Sequence, residues 1–189
     1  MGVRIVKMRE YYTPAVVLGT NPRNEKDAQI ILYTKDLGRV SAIAKSIRKI
    51  TSKLAGHMKV GALVNVRLVE AGGSYQLIDG LSLKAPCGGG DHLKLVSFLE
   101  DVIPQGQPDI QMWYAISEIF DSCTITPRIY RYLLQLMGFV AGSVEVPICR
   151  GCKGKSGQVV YFYAPDIIFL CSSCLSRVHI DINDAVPVA

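Results

Sequence analysis

The sequence predicts an α+β chain with an N-terminal five-stranded OB-type β-barrel, a small helical domain and a C4 zinc ribbon. Three observations carry this expectation. Five strand-like runs precede residue 84, helical periodicity occupies 91–140, and two C-x-x-C pairs follow. The expected boundaries are 1–84, 91–148 and 149–178. A chain of 189 residues, 49% apolar and 20% charged, is long enough for such pieces and is not disordered by composition.

The runs are Pro14–Thr20, Ala28–Thr34, Arg39–Lys45, Leu63–Glu70 and Tyr75–Leu83. Val40, Ala42 and Ala44 alternate along the third. Asn21-Pro22, Asp36-Leu37-Gly38 and Gly72-Gly73 punctuate them. Between the third and fourth runs, Thr51/Ser52 can cap a short helix over 51–58. Three strands, a helix and two strands is the OB order, although SH3-like barrels also have five strands. Arg4–Met8 is a further candidate edge strand. Pro86–Gly90 marks a break.

Three helices are expected next. Asp91 caps the first, with Leu93, Val96, Leu99 and Ile103 on its stripe. Pro108 opens the second, with Ile110, Trp113, Ser117 and Phe120. Thr126-Pro127 opens the third, whose apolar face is Ile129, Leu133, Leu136 and Met137, and Gly138 ends it.

Cys149-Arg150-Gly151-Cys152 and Cys171-Ser172-Ser173-Cys174 lie 18 residues apart, within the spacing of a structural zinc site. Two residues between cysteines let a tight knuckle aim both sulfurs at one metal, and two knuckles complete a tetrahedron. Val159–Tyr163 and Ile167–Leu170 are strand-like and join through Pro165-Asp166. Arg150, Lys153, Lys155 and Arg177 can offset the −2 charge of a tetrathiolate zinc. A thioredoxin-like motif, two disulfides or an iron–sulfur cluster fit the pattern less well. Cys87 and Cys123 have no C-x-x-C partner and are expected as free thiols.

Charge is uneven. Residues 1–84 hold 14 Lys/Arg against 6 Asp/Glu, and residues 85–189 hold 7 against 10. A basic first half points to a polyanion. Lys35–Lys59 carries seven cations against Asp36 alone. OB barrels bind single strands with a basic groove and stacking aromatics, for which Tyr33 and Tyr75 are candidates. His57, His92 and His179 are scattered, and Gly88–Gly90 lacks the Lys-Ser/Thr of a phosphate loop. No enzyme motif is read. No apolar run reaches membrane-spanning length and the N-terminus has charges where a signal peptide needs its apolar core, so the expected place is the cytoplasm.

Residues 24–56, NEKDAQIILYTKDLGRVSAIAKSIRKITSKLAG, resemble the N-terminal domain of the RecO family of DNA repair and recombination mediators. The matching positions are Glu25, Thr34, Asp36/Gly38/Arg39, Ala44/Lys45, Arg48/Lys49 and Ser52/Lys53/Leu54. RYLLQLMGF, residues 131–139, resembles the helix before that family's cysteines. Ser46 stands where the family usually has Gly. The resemblance implies a non-enzymatic mediator of the RecF pathway that binds single- and double-stranded DNA and anneals complementary strands. It implies RecR and the acidic tail of single-strand-binding protein as partners, RecA indirectly, no membrane, and a place at the nucleoid. Lys35, Arg39, Lys45, Arg48, Lys49 and Lys53 are the expected DNA contacts, and Arg128, Arg131 and Tyr132 the expected tail contacts. The zinc ligands are Cys149, Cys152, Cys171 and Cys174. An RNA-binding module and a protein-interaction adaptor are the rival readings.

Overall fold

A computed structural model describes residues 8–141, 147–154 and 159–188, which form two compact units divided between Cys123 and Thr124. The candidate edge strand at Arg4–Met8 lies, but for Met8, outside the described residues.

The first unit begins with β1 (Arg9–Pro22), β2 (Ala28–Thr34), β3 (Gly38–Ala44), α1 (Lys53–His57), β4 (Leu63–Ala71) and β5 (Ser74–Lys84). Hydrogen-bonded neighbours run β1-β2-β3-β5-β4, and β4 returns to β1. The strand β1 serves two partners. Its Arg9–Val16 half pairs with β4, and its Ala15–Pro22 half pairs with β2 across an irregularity between Val17 and Gly19. Such an irregularity bends a strand and raises its twist, which one strand shared by two neighbours requires. The β3–β5 pairing is parallel and only three residues long, from Ala42↔Tyr75 to Ala44↔Leu77.

One face of the sheet encloses Ala15, Val17, Ile30, Leu32, Val40, Ala42, Val64, Val66, Leu68 and Leu77. Val16 and Leu18 point to the other side and are buried as well. Their cover is α2 (Gly90–Val102), which packs along β1. A Cβ on Gly19 would lie 3.0 Å from the Glu100 carboxylate, so a glycine lets that helix come close. Burial on both faces explains why Pro14–Thr20 reads as a continuous apolar run.

The connection from α2 to α3 (Ile110–Ser122) lies on the start of β3. The Gly106 amide donates to the Arg39 carbonyl at 2.9 Å. Gly38, at φ +67°, admits this loop, because a Cβ there would sit 2.3 Å from the Gln107 carbonyl oxygen. Asp109 caps α3 by accepting from the amides of Gln111 and Met112, so the helix starts two residues after Pro108. Gly89, not Asp91, is the N-cap of α2. Its buried face is His92, Leu95, Val96, Phe98 and Leu99, whereas Leu93 faces solvent. Ile110 is also exposed, and α3 buries Met112, Trp113, Ala115, Ile116 and Phe120.

The second unit holds α4 (Pro127–Leu136), β6 (Val160–Tyr163), β7 (Ile168–Cys171), α5 (Ser172–Arg177), a single 3-10 turn at Ile182–Asp184 and β8 (Val186–Pro187). The strand β6 is central, in the order β7-β6-β8. Phe162 is buried there, with ring centroids 5.7 Å from Phe139 and 5.1 Å from Phe169. The turn at Ala164–Ile167 closes by a 3.2 Å bond from the Ile167 amide to the Ala164 carbonyl.

The expected fold class is corrected. A succession of three separate pieces, with a helical domain of its own between the strands and the cysteines, does not describe the chain. The N-terminal strands form a mixed sheet with a short parallel seam. The helices are divided, α2 and α3 to the unit of the sheet and α4 to that of the cysteines. The reason is burial: the second face of β1 must be covered, and α2 covers it. The cysteine hairpin gains β8 as a third strand.

Cys87 and Cys123 are likewise not free. They form a disulfide with Cα atoms 5.6 Å apart, closing a sequence separation of 36. The bond ties the segment after β5 to the left-handed C-cap of α3. Beside it, Lys84 Nζ pairs with the Asp121 carboxylate at 3.1 Å.

His92 links α2 to the turn before β4. Its Nε2 lies 3.2 Å from the Gly61 carbonyl oxygen. Its Nδ1 is buried with no partner among the described residues. The neutral tautomer with hydrogen on Nε2 suits both atoms, leaving a bare nitrogen rather than an orphaned N–H inside. Burial lowers the His92 pKa, against the opposing pull of the Gly61 carbonyl.

Two outcomes are expected. Reduction should lower the thermal midpoint, and Cys87→Ser should match the reduced protein and no longer respond to reductant. The loop-entropy limit for a 36-residue separation is about 3–4 kcal/mol. An unchanged midpoint in calorimetry would count against the bond. Because the folded state resists a proton that an unfolded His takes near pH ~6.5, the His92 contribution is present at neutral pH. It is lost as pH falls through the unfolded value toward the folded one. Midpoints measured from pH 7 to pH 5 should therefore drop more steeply for wild type than for His92→Leu.

Candidate nucleic-acid surface and metal centre

Two loops at one edge of the first unit are bonded into a single basic surface. The β1–β2 loop folds on itself through Asn24, whose side-chain oxygen accepts from the amides of Lys26 and Asp27. Asn24 Nδ2 in turn donates to the Asp27 carboxylate at 3.0 Å. The same carboxylate accepts from the Ser46 amide at 2.7 Å. Across the loops, the Arg48 amide donates to the Lys26 carbonyl at 3.0 Å, and its guanidinium to the Asn24 carbonyl. The amide of Ser46, then the side chain of Asn24, hold the Asp27 pKa below the usual carboxylate range, with Lys45 and Arg23 adding to it. The acid is thereby spent on structure.

Around this knot Lys45, Arg48, Lys49 and Lys53 are all exposed. Arg23 and Lys26 join them from the other loop. Sequence reasoning missed these two because they lie 22 and 19 positions before Lys45, the first residue of the Lys45–Lys53 cluster. The only signal was the Asn24/Asp27 turn chemistry.

Lys35 and Arg39 are elsewhere. Lys35 Nζ sits 5.6 Å from the centroid of the Tyr114 ring on α3. Arg39 is half-buried, its guanidinium donates to the Glu100 carbonyl at the end of α2, and it also lines the groove beside Tyr75. Both hold helices to the sheet. Tyr33 is not a stacking platform either, for it is buried against Trp113 and its hydroxyl donates to the Asp109 carbonyl at 3.3 Å.

Tyr75 keeps an open side. It is edge-on to Tyr11, at 6.2 Å, and lines a groove of about 720 Å³ across the outer face of β2, β3 and the β4–β5 turn. Arg23, Gln29, Ser41, Ile43 and Ser74 line the groove with it. Arg23 is common to the groove and the basic loops, so the two are continuous. Amide, hydroxyl and aromatic groups beside a row of cations can take bases and phosphates respectively.

In the second unit, Cys149, Cys152, Cys171 and Cys174 are brought together. All four sulfurs lie within 4.8 Å of one another, with Cys152 and Cys171 at 3.9 Å. A tetrahedral zinc with bonds of about 2.3 Å needs sulfurs about 3.8 Å apart. The first knuckle is drawn by the Lys153 amide, which donates to the Cys149 carbonyl at 2.9 Å, with Lys153 at φ +53°. The second is the start of α5, which presents Cys174 one turn after Cys171. The Cys171 amide donates to Cys149 Sγ at 3.3 Å. Gly151 is required, because a Cβ there would lie 2.9 Å from Cys174 Sγ.

The electrostatics ask for a cation. Burial raises the Cys149 pKa, but the amides of Cys152, Cys171 and Gly151 outweigh it and bring the thiol to about 6. Cys174 moves the other way, to about 12, led by its hydrogen bonds to Cys171 and Cys149. Four thiolates at this spacing are stable together only around a metal. The donor set therefore fits a structural zinc, held by all four cysteines with no position left for chemistry. Arg150, Lys153 and Arg177 are exposed beside it, and Lys155 lies outside the described residues.

Arg128, Arg131 and Tyr132 lie on α4 in the same unit, at spacings of three and four residues that share one helix face. Arg128 and Tyr132 are exposed and Arg131 is half-buried. No helix of the described residues is long and apolar enough to cross a membrane.

Residues 8–86 match the family described as "Recombination protein O N terminal". The chain is 38% identical over 66 residues to the DNA repair protein RecO of Dehalococcoides mccartyi, which is 35% of this chain and 26% of that protein. It is 24% identical over 180 residues to the RecO of Caldanaerobacter subterraneus, covering 88% of this chain and 72% of that one. With the RecO of Thermodesulfovibrio yellowstonii it shares 23% over 190 residues, 94% of this chain and 75% of the relative. The Dehalococcoides match thus spans about a quarter of that relative's length.

The zinc reading sets an expected outcome. The purified chain should hold one zinc per molecule by elemental analysis. Cys149→Ser and Cys171→Ser should lose it, and chelation should unfold the second unit while the sheet's circular dichroism remains. Full metal-free stability of that unit would contradict the assignment.

Proposed function

We propose that this chain, whose residues 8–86 match the RecO N-terminal family, acts as a non-catalytic mediator of DNA repair and recombination that binds single- and double-stranded DNA and anneals complementary strands. The observation that carries the reading is the joined basic edge, where Arg23, Lys26, Lys45, Arg48, Lys49 and Lys53 surround an acid already committed to structure. Phosphates bound by these cations release counterions. Two strands drawn to one surface repel each other less and can pair. The groove past Arg23 takes the bases of a single strand, with Tyr75 for stacking and Gln29 and Ser41 for base edges. Lys35 supports the surface from beside Tyr114, and Arg39 adds a half-buried cation to the groove wall.

The remaining parts of the proposal concern partners. Arg128, Arg131 and Tyr132 offer a basic rim and an aromatic side chain to the acidic tail of single-strand-binding protein. A RecR contact and the loading of RecA on coated gaps complete the mediator role. The zinc keeps the second unit folded and takes no part in a reaction.

Affinity for a labelled single strand should fall with salt at a log–log slope of about −4, as six phosphate contacts predict. Replacing Lys45, Arg48 and Lys49 by Ala should make that slope shallower by about 2 and slow annealing of complementary oligonucleotides. Arg128→Glu should spare annealing of naked strands and abolish it on coated ones. Tighter binding of RNA than DNA in competition, or annealing unaffected by the triple change, would contradict the proposal.

A further inference from the structure

The β3–α1 loop carries two isoleucines with opposite fates. Ile47 is 5% exposed and anchors the loop in the core, whereas Ile50 is 105% exposed at its tip. A single exposed aliphatic residue is ordinary on a protein surface. The setting of Ile50 is not.

The tip is fixed in place. Ser46 is held by Asp27, Arg48 by Lys26 and Asn24, the Lys49 amide by the Ser46 carbonyl at 3.2 Å, and the Ser52 amide by the Lys49 carbonyl at 2.9 Å. Side-chain freedom at Ile50 therefore rides on a backbone that is not free to fold it away. Arg48, Lys49 and Lys53 flank it, all exposed, and Ile50 is the only large apolar side chain among the exposed residues of 45–53. An apolar point inside a cationic rim matches a partner with anions outside and apolar surface within.

We propose that Ile50 is a wedge that enters between stacked bases of the bound nucleic acid while the surrounding cations hold the phosphates. This rests on the DNA-binding reading above and deepens it. One aliphatic side chain suffices to part a base step. It is too little for a membrane, where stable attachment takes more than one apolar anchor. Parting a step exposes base edges at the place where a second strand is brought in, which is what pairing needs.

The test uses the full chain and oligonucleotides, single-stranded and duplex, carrying the fluorescent base 2-aminopurine, with binding read separately by anisotropy. Wild type should brighten 2-aminopurine on binding. Ile50→Ser should lose that brightening, bind about 3- to 10-fold more weakly through the lost apolar burial, and keep the wild-type salt slope. Ile50→Leu should restore the signal. If wild type binds and Ile50→Ser brightens 2-aminopurine as much, the wedge is wrong and the DNA reading stands. If wild type does not bind at low salt, the DNA reading and the wedge both fall. Vesicles containing phosphatidylglycerol then reveal whether the tip is a membrane contact instead.

Discussion

Ser46 stands in the left-handed region at φ +56°, and its amide donates to the Asp27 carboxylate at 2.7 Å. On this contact depends the shape of the whole basic edge. It joins the β1–β2 loop to the β3–α1 loop, turns six cations into one surface, and leaves Ile47 inside and Ile50 outside. A carboxylate among cations would otherwise neutralise part of the field that a polyanion meets. Here the acid is tied to an amide and an asparagine, and the cations keep their charge for a ligand.

Sheet and helices depend on each other in a similar way. A strand buried on both faces needs cover, and α2 gives it through Gly19, Gly61 and His92. Arg39 and Lys35, both cationic, are drawn into that packing by the Glu100 carbonyl and the Tyr114 ring. A guanidinium can satisfy a helix end and stack on its surroundings while covering apolar surface with its stem. Charge in a basic segment is thus divided between holding the fold and facing solvent. The disulfide at Cys87–Cys123 closes the same helical cover onto the exit of β5.

Much of this was legible in the residues. The strand runs, the Pro at the start of α4 and the four metal-site cysteines are local patterns, and each was readable because period or spacing alone defines it. What depends on contacts distant in sequence was not. The expected stripe of α2 put Leu93 inside, but the buried face includes His92, whose place is set by Gly61, thirty-one residues earlier. The division of the helices between two units, the pairing of Cys87 with Cys123 and the recruitment of Arg23 and Lys26 are of the same kind. Ser46 is instructive, because its position usually carries Gly in the resembled family, and a positive φ is the physical reason for that preference.

The proposed basic edge stands or falls on whether nucleic acid touches it. Photocrosslinking of a bromodeoxyuridine oligonucleotide, followed by mass spectrometry of the joined peptides, reads that directly. Crosslinks within 23–29, 45–53 and 73–76 are predicted. Crosslinks confined to residues 124–188 would contradict the account, because the basic edge would then be a solvated surface and the binding function would belong to the zinc unit.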